Sequence, residues 1–329
     1  MDSKTKRIEW IDIAKGISII LVVYGHAGLS SIPYIGDWFA VFRMPFFFFV
    51  SGILFSANKY PTLYDFLKRR WKTLIRPYFI FSIICLLAYW YLDPNNILTK
   101  IKSVLIEGWG GLALWFIPVL ILTEFIYYVI RKYIGNQIIL ILTLLVSATI
   151  GWFSYKLNLP DNYNFWFVFT AVLFYGSGNL LSWFLKYKFN AYTKSQLFII
   201  TIISISLSMT YLLNEQKPEF FINNLGSIFT YPAAIGGTIF MCSCAVWVSR
   251  EQRKFINEGK KIAIFFGKNS YVVLAFHQII LMIQSKIHLI DNGSLKRIIM
   301  WTILSCLILL INKYVPFILG KSYDQKSGY

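Results

Sequence analysis

The sequence is dominated by apolar runs that are each long enough to cross a lipid bilayer. A transmembrane helix needs about 20 mostly apolar residues, and its backbone hydrogen bonds must be satisfied within the helix. With 57% hydrophobic and only 14% charged residues, the chain cannot be an ordinary soluble domain. We predict an all-α integral membrane protein with about ten transmembrane helices in a single domain, residues 1–329. The runs lie at roughly 11–29, 38–57, 77–92, 113–130, 137–155, 165–185, 195–213, 225–248, 268–287 and 297–313.

The basic residues predict how these helices are oriented. The chain has 32 lysines and arginines and a net charge of +17. If both termini lie on the same side, 23 of the 32 fall in segments on that side and seven on the other. Cytoplasmic segments carry the excess of positive charge, so both termini are predicted to be cytoplasmic. Because the cations lie in short clusters between apolar runs, we interpret them as topology signals and predict no nucleic-acid partner.

The first apolar run contains three ionisable residues, Asp12, Lys15 and His26. Such groups are costly in a membrane, so each needs a partner or a water-lined cavity. On a helix, Lys15 and His26 lie on nearly the same face about 16 Å apart, and Asp12 shares that face. Asp12 and Lys15 can neutralise each other at one end. His26 either packs as a satisfied histidine or forms part of a functional site.

These residues resemble a known family. Lys15, ten further residues and His26, preceded by Asp12, resemble the first-helix signature of the membrane acyltransferase-3 family. The subgroup that the chain looks most like is the fucose-4-O-acetylase-like and polysaccharide O-acetyltransferases. The stretch FRMPFFFFVSG resembles the family's FHMPLFFFLSG motif, with Arg43 where many members have histidine. Arg43 is either an interfacial cation or a fixed positive charge in the site.

A second basic cluster precedes the third apolar run, in the sequence DFLKRRWKTLIRPYF. It resembles the family's basic motif before a helix-opening proline, which is taken to hold the acyl donor. The predicted donor-binding residues are Arg69, Arg70, Lys72 and Arg76, since guanidinium groups bind phosphate oxygens bidentately and coenzyme A carries several phosphates. The alternative is an electrostatic anchor to anionic membrane lipids.

Four further residues are supporting or acceptor-side candidates. Glu124 is the one carboxylate deep in its run, and we favour a structural ion pair with Lys15, Arg43 or another cation. Trp115 suits an interfacial aromatic belt, although LWFIPVL also resembles a family motif. Tyr271 and His277 lie in a stretch that resembles the family's late NS-x-x-x-YLxH segment. His277 is therefore an acceptor-side candidate or a histidine hydrogen-bonded between helices.

The resemblance implies a multi-pass O-acetyltransferase in the cell membrane of a bacterium. Acetyl-coenzyme A would be a co-substrate rather than a bound cofactor, and a cell-surface polysaccharide or lipid-linked sugar would be the acceptor. His26 would act as a base or as a transient acyl carrier. No metal is expected, because the four cysteines show no ligand spacing. Whether the chain forms a homo-oligomer stays open. The main rival is a proton-coupled exporter of a glycan or lipid-linked sugar.

Overall fold

The computed structural model describes residues 8–28, 32, 34–106, 108, 112–157, 159, 164–213, 228–287 and 292–321. Within these ranges the chain is helical and contains no β-strand. The α-helices in chain order are α1 Glu9–His26, α2 Ile35–Leu54, α3 Leu63–Arg70, α4 Arg76–Leu92, α5 Ile97–Ile106, α6 Phe116–Tyr133, α7 Gln137–Lys156, α8 Phe165–Leu180, α9 Lys194–Ser208, α10 Thr230–Arg250, α11 Lys254–Lys268, α12 Ser270–Ile287 and α13 Gly293–Tyr314. The predicted all-α class is confirmed.

Each of the ten predicted apolar runs coincides with helix in the described residues. Eight helical segments there are long and apolar enough to cross a membrane, and a bent pair, Phe165–Leu180 with Phe184–Ala191, gives a ninth. The remaining run is α1, whose 18 residues would span about 27 Å. It differs from the others because it carries Glu9, Asp12 and Lys15. The chain is an integral membrane protein.

Backbone contacts divide the chain into two compact units. Unit 1 comprises Met1–Phe55 and Leu173–Ser270, and unit 2 comprises Ser56–Val172 and Tyr271–Tyr329. Each unit therefore joins two separate parts of the sequence. The single domain of residues 1–329 stays a prediction.

Glycines let the helices of unit 1 approach one another closely. A Cβ built on Gly52 of α2 would overlap the backbone of Tyr175, and one on Gly178 of α8 would overlap that of Phe49. Small residues permit this kind of helix contact in membrane proteins. Asn179 then donates from Nδ2 to the Phe55 carbonyl at 2.8 Å. The same helix contact therefore also supplies a donor for a carbonyl at the end of α2.

In unit 2, α3 and α4 form one continuous helical segment from Leu63 to Leu92. A capping box of Thr62 and Asp65 begins it, with the Asp65 amide donating to the Thr62 hydroxyl at 3.1 Å. The segment widens to a π-helix at Trp71–Ile75, and Pro77 follows at the start of α4. A π-turn inside an α-helix is rare and is often found at functional sites.

Glu251 forms two ion pairs within unit 1. Its carboxylate lies 3.0 Å from Lys194 Nζ and 3.1 Å from Arg253 Nε. The hydrogen bond from Lys194 holds the pKa of Glu251 below its ordinary value of 4.5, and the bond from Arg253 lowers it further. The folded state therefore binds fewer protons than the unfolded state in acid, so this contribution to stability is complete above about pH 4.5 and is lost as the pH falls further.

We expect the thermal midpoint of the purified protein to fall between pH 5 and pH 3 partly through this group. The slope of midpoint against pH should be shallower for Glu251→Gln, which does not titrate. Because Lys194 and Arg253 are exposed, the difference between the two proteins should shrink in high salt. Equal slopes for wild type and variant would contradict the assignment.

Candidate functional site

The candidate residues of unit 1 begin with the face of α1 that carries the charges. Asp12 and Lys15 are half-buried in the first half of the helix, and His26, the last residue of α1, has an exposed side chain. Ile19 and Val22, between them on the same stripe, are buried. The structure thus places the ionisable groups towards the two ends of one helix, as the spacing predicted.

Arg43 of α2 reaches the histidine end of α1. The Ser18 hydroxyl donates to the Arg43 backbone carbonyl at 3.3 Å, so the α2 backbone passes α1 near Ser18. The Arg43 guanidinium lies against Gly25, where a Cβ would overlap its Nη1 atom. Gly25 is about 10 Å further along α1 than Ser18. The Arg43 side chain therefore runs along α1 and ends beside the residue that precedes His26.

Gly25 is a residue that the sequence reasoning missed. Its position immediately before His26 was the available signal, because a missing side chain leaves room for a neighbour on the helix surface. An alanine here would displace only the mobile end of Arg43. Gly16 of α1 is different, since a Cβ there would overlap the backbone of Ala263.

For the acyltransferase that the resemblance implies, we expect Gly25→Ala to lower the turnover number while leaving the thermal midpoint nearly unchanged. The new methyl group would shift the Arg43 guanidinium by an ångström or more, and a displacement of that size costs roughly 10²-fold in rate where the group is needed. Gly135→Ala is the matched control, because a Cβ at Gly135 meets nothing within 4 Å. Unchanged turnover in Gly25→Ala would show that the position of Arg43 does not matter.

The other half of α1 is crossed by α11. The backbone of Ala263 lies against Gly16, and a Cβ on Gly267 would come within 2.7 Å of the Gly16 nitrogen and would also meet the Asp12 carbonyl. Nζ of the buried Lys260 of α11 lies 3.4 Å from Glu9 Oε1. Lys15 is thus held on a part of α1 whose backbone is fixed by close contact with a second helix.

The donor-binding candidates of unit 2 differ in what surrounds them. Arg69 and Lys72 have exposed side chains. Arg76 donates to the Phe317 carbonyl in the short helix Pro316–Leu319, and its guanidinium lies 5.9 Å from the Phe317 ring centroid. Arg69 and Lys72 are therefore the candidates most accessible to a phosphate.

Arg70 forms the ion pair that was predicted for Glu124. Its Nε lies 2.6 Å from Glu124 Oε2, and the two side chains are only 14% and 7% exposed. Aromatic rings enclose the guanidinium, with Tyr60 and Phe66 at 5.5 Å and 5.2 Å from it. The predicted ion pair is confirmed, with Arg70 as a partner. Arg70 is thus held inside unit 2 by a buried carboxylate.

Tyr271 contacts the π-helix that follows the basic cluster. Its hydroxyl donates to the Leu74 carbonyl at 2.8 Å, and its ring packs edge-on against Phe81 at 5.5 Å. A π-turn leaves carbonyls without their usual α-helical donor. Tyr271 supplies such a donor, which gives it a supporting role in the shape of the basic segment.

His277 and Trp115 are both buried. His277 Nδ1 lies 2.9 Å from the Val273 carbonyl of its own helix and the side chain has no exposed surface. Trp115 is 9% exposed and packs against Phe116 and Phe167 at 6.1 Å and 6.2 Å. The interfacial role of Trp115 stays a prediction, and the structure adds that its ring is buried against aromatic neighbours.

An open, mostly apolar pocket of about 770 Å³ is lined by residues of unit 2. Its wall begins at Ile75, the last residue of the π-helix, three residues after Lys72. The remaining wall comes from α4, α5, α6 and the start of α8, with Tyr78, Phe79, Val104, Leu105, Pro118, Ile121, Leu122, Phe165 and Trp166. The volume is in the range of small-molecule sites.

Comparison with known proteins decides the family. A family model described as an acyltransferase domain, that of the acyltransferase-3 family, matches residues 8–312. The chain belongs to the acyltransferase-3 family. The match takes in both compact units and each candidate residue named above. No curated protein and no solved structure matched the chain. As a member of the acyltransferase-3 family, the chain is a multi-pass membrane acyltransferase.

Proposed function

We propose that this acyltransferase-3 protein transfers an acetyl group from acetyl-coenzyme A to a hydroxyl of a cell-surface polysaccharide or of its lipid-linked sugar precursor, in the manner of the polysaccharide O-acetyltransferase subgroup. The observation that carries the proposal is the position of Arg43. Its guanidinium lies against buried Gly25. Gly25 is the residue before His26, whose side chain is exposed. This arrangement supplies a proton acceptor and a fixed positive charge at one end of α1.

The chemistry follows from these two groups. His26 takes the proton of the acceptor hydroxyl while the hydroxyl oxygen attacks the thioester carbonyl. Arg43 stabilises the negative charge that develops on the carbonyl oxygen. The carbon–sulfur bond then breaks, the acetyl group stays on the acceptor oxygen, and the coenzyme A thiolate takes the proton from His26. In a variant of the scheme, His26 first accepts the acetyl group and passes it on.

The donor site of the proposal lies in unit 2. Arg69 and Lys72 bind the phosphates of coenzyme A, Arg76 and Arg70 support the same segment, and the apolar cavity after Ile75 takes uncharged parts of the donor. The exposure of Arg69 and Lys72 and the cavity's apolar wall support this assignment. With both termini cytoplasmic, this segment faces the cytoplasm, where acetyl-coenzyme A is made.

Asp12 and Lys15 complete the proposed site at the opposite end of α1 from His26. Lys15 is a further charged group of the proposed catalytic helix, and Asp12 balances its charge. The close crossing of α1 by α11 supports this role, because it fixes the backbone on both sides of Lys15. Lys15 is thus held about 16 Å from His26 along the helix.

The test uses purified protein in lipid vesicles with acetyl-labelled acetyl-coenzyme A and a bacterial polysaccharide preparation as acceptor. We expect label on the polysaccharide, released by mild base as an ester would be, and release of free coenzyme A in equal amount. Proton-driven uptake of a labelled oligosaccharide without coenzyme A, and no ester formation, would replace this proposal with the exporter.

A further inference from the structure

Helix α11, Lys254–Lys268, exposes an unusual combination of side chains. Lys254, Lys261 and Lys268 recur every seven residues, which is nearly two helical turns, and all three are exposed. Phe255 and Ile262, also seven apart, lie beside this row and are 89% and 54% exposed. Within the row, Lys261 Nζ lies 2.7 Å from Glu258 Oε1 of the same helix. The helix thus carries a lysine row, with one acidic residue beside it, next to an apolar strip on the outer face.

The opposite face of α11 is occupied by the protein. Ala263, Phe266 and Gly267 are buried, and Ala263 and Gly267 pack against the backbone of α1. Lys260, the fourth lysine, also lies on this face, where it donates to the Ser249 carbonyl at 3.2 Å. The seven-residue lysine row is therefore not part of the contact with α1 and faces away from it.

The composition of α11 indicates where it lies. With 15 residues the helix is about 22 Å long. Its lysines distinguish it from the apolar segments that are long enough to span a membrane. It connects α10 to α12, both of which are long and apolar enough to cross a membrane. A helix with an apolar strip beside a lysine row is typical of helices that lie in the plane of a membrane surface. The lysine chains can lie along apolar surface while their ammonium groups reach the headgroups.

We infer that α11 is a lipid-binding helix of the cytoplasmic leaflet, with Phe255 and Ile262 in the acyl region and the lysine row on anionic phospholipid headgroups. Charge complementarity selects this partner, because the cytoplasmic leaflet is negatively charged and the proposed orientation places α11 there. The inference rests on that orientation but not on the identity of the acyl donor or acceptor. Because α11 also contacts α1 around Gly16, anionic lipid bound to α11 stabilises the position of α1, the helix that carries Lys15.

The experiment measures the thermal midpoint of the purified protein in neutral detergent while phosphatidylglycerol or phosphatidylcholine is added. We expect phosphatidylglycerol to raise the midpoint by several degrees in a saturable way, and phosphatidylcholine to have little effect, since a ligand that binds only the folded state stabilises it. The double variant Lys254→Gln/Lys268→Gln should need roughly 30-fold more phosphatidylglycerol for the same shift. The exposed pair Lys102→Gln/Lys156→Gln is the charge-matched control and should behave as wild type.

Two further arms separate a lipid surface from a simple anion. Soluble glycerol phosphate should give no shift at concentrations where phosphatidylglycerol saturates. Phe255→Ser should weaken the response to phosphatidylglycerol, because the apolar strip contributes to binding. Identical phosphatidylglycerol titrations for wild type, the Lys254/Lys268 variant and Phe255→Ser would overturn the inference, as would an equal response to glycerol phosphate. These measurements do not depend on acetyl transfer. Their outcome therefore tests the lipid-binding inference independently of the proposed function.

Discussion

His26→Ala is expected to lower acetyl transfer to the acceptor by about 10²–10⁴-fold, the usual contribution of a general base. His26 is exposed at the end of α1, so the truncation leaves no large cavity and the protein should keep its thermal midpoint. The measurement is the initial rate of ester formation in vesicles with labelled acetyl-coenzyme A. Full transfer by His26→Ala would remove His26 from the mechanism.

Combining His26→Ala with Gly25→Ala makes this test sharper. If Arg43 and His26 act on the same step, Gly25→Ala should cost little in a protein that already lacks the imidazole, because effects of groups that act together are not additive. Its roughly 10²-fold cost should then appear only in the wild-type background. Equal costs in both backgrounds would mean that Arg43 contributes to a different step.

Glu124→Gln is expected to have the largest effect on stability. The variant leaves the Arg70 guanidinium, 14% exposed, without its carboxylate, and breaking a buried ion pair costs about 3–5 kcal/mol. Thermal unfolding in detergent, followed by the loss of the monodisperse peak on size exclusion, measures this. Arg70→Met should destabilise the protein to a similar degree, since it leaves the buried Glu124 carboxylate without Arg70 as its ion-pair partner. The double variant Arg70→Met/Glu124→Leu should recover much of the loss, because neither charge is then buried.

The matched control for Arg70 is Arg69→Gln, which removes the same charge from the adjacent, exposed position. It should leave the thermal midpoint unchanged and raise the KM for acetyl-coenzyme A at least tenfold, as expected for the loss of one charged hydrogen bond. If Arg70→Met instead keeps full stability and raises that KM, Arg70 is a donor ligand and the ion pair is dispensable.

The sequence predicted the helical membrane architecture because the signal is local. Each apolar run and each basic cluster is visible within about 20 residues, and the ten runs coincide with helix in the described residues. The family signature was equally local, since Lys15 and His26 lie on one helix. The amphipathic helix α11 was missed as an element, because the six lysines and arginines of residues 250–268 were counted only as topology signals. Its lysine row at every seventh residue was the signal available.

The partners of the charged residues could not be predicted in the same way. Glu124 needed a cation, but several were compatible with the sequence, and only the packing of α6 against the π-helical segment selects Arg70. Trp115 was predicted to be interfacial from its residue type, and its burial against Phe116 and Phe167 was not visible in the sequence. These outcomes depend on which helices become neighbours, and hydrophobicity along a membrane helix does not determine that.

The sequence by itself determined that this chain is a multi-helix membrane acyltransferase with a few ionisable residues inside its apolar runs. The tertiary structure alone decided that the Arg43 guanidinium lies against Gly25 near the end of α1, and that α11 fixes the backbone around Lys15. The physical reason is that a charge inside a membrane must find a partner, so the sequence shows that a partner exists. Which group it is depends on close helix contacts, set by single glycines far from one another in the chain.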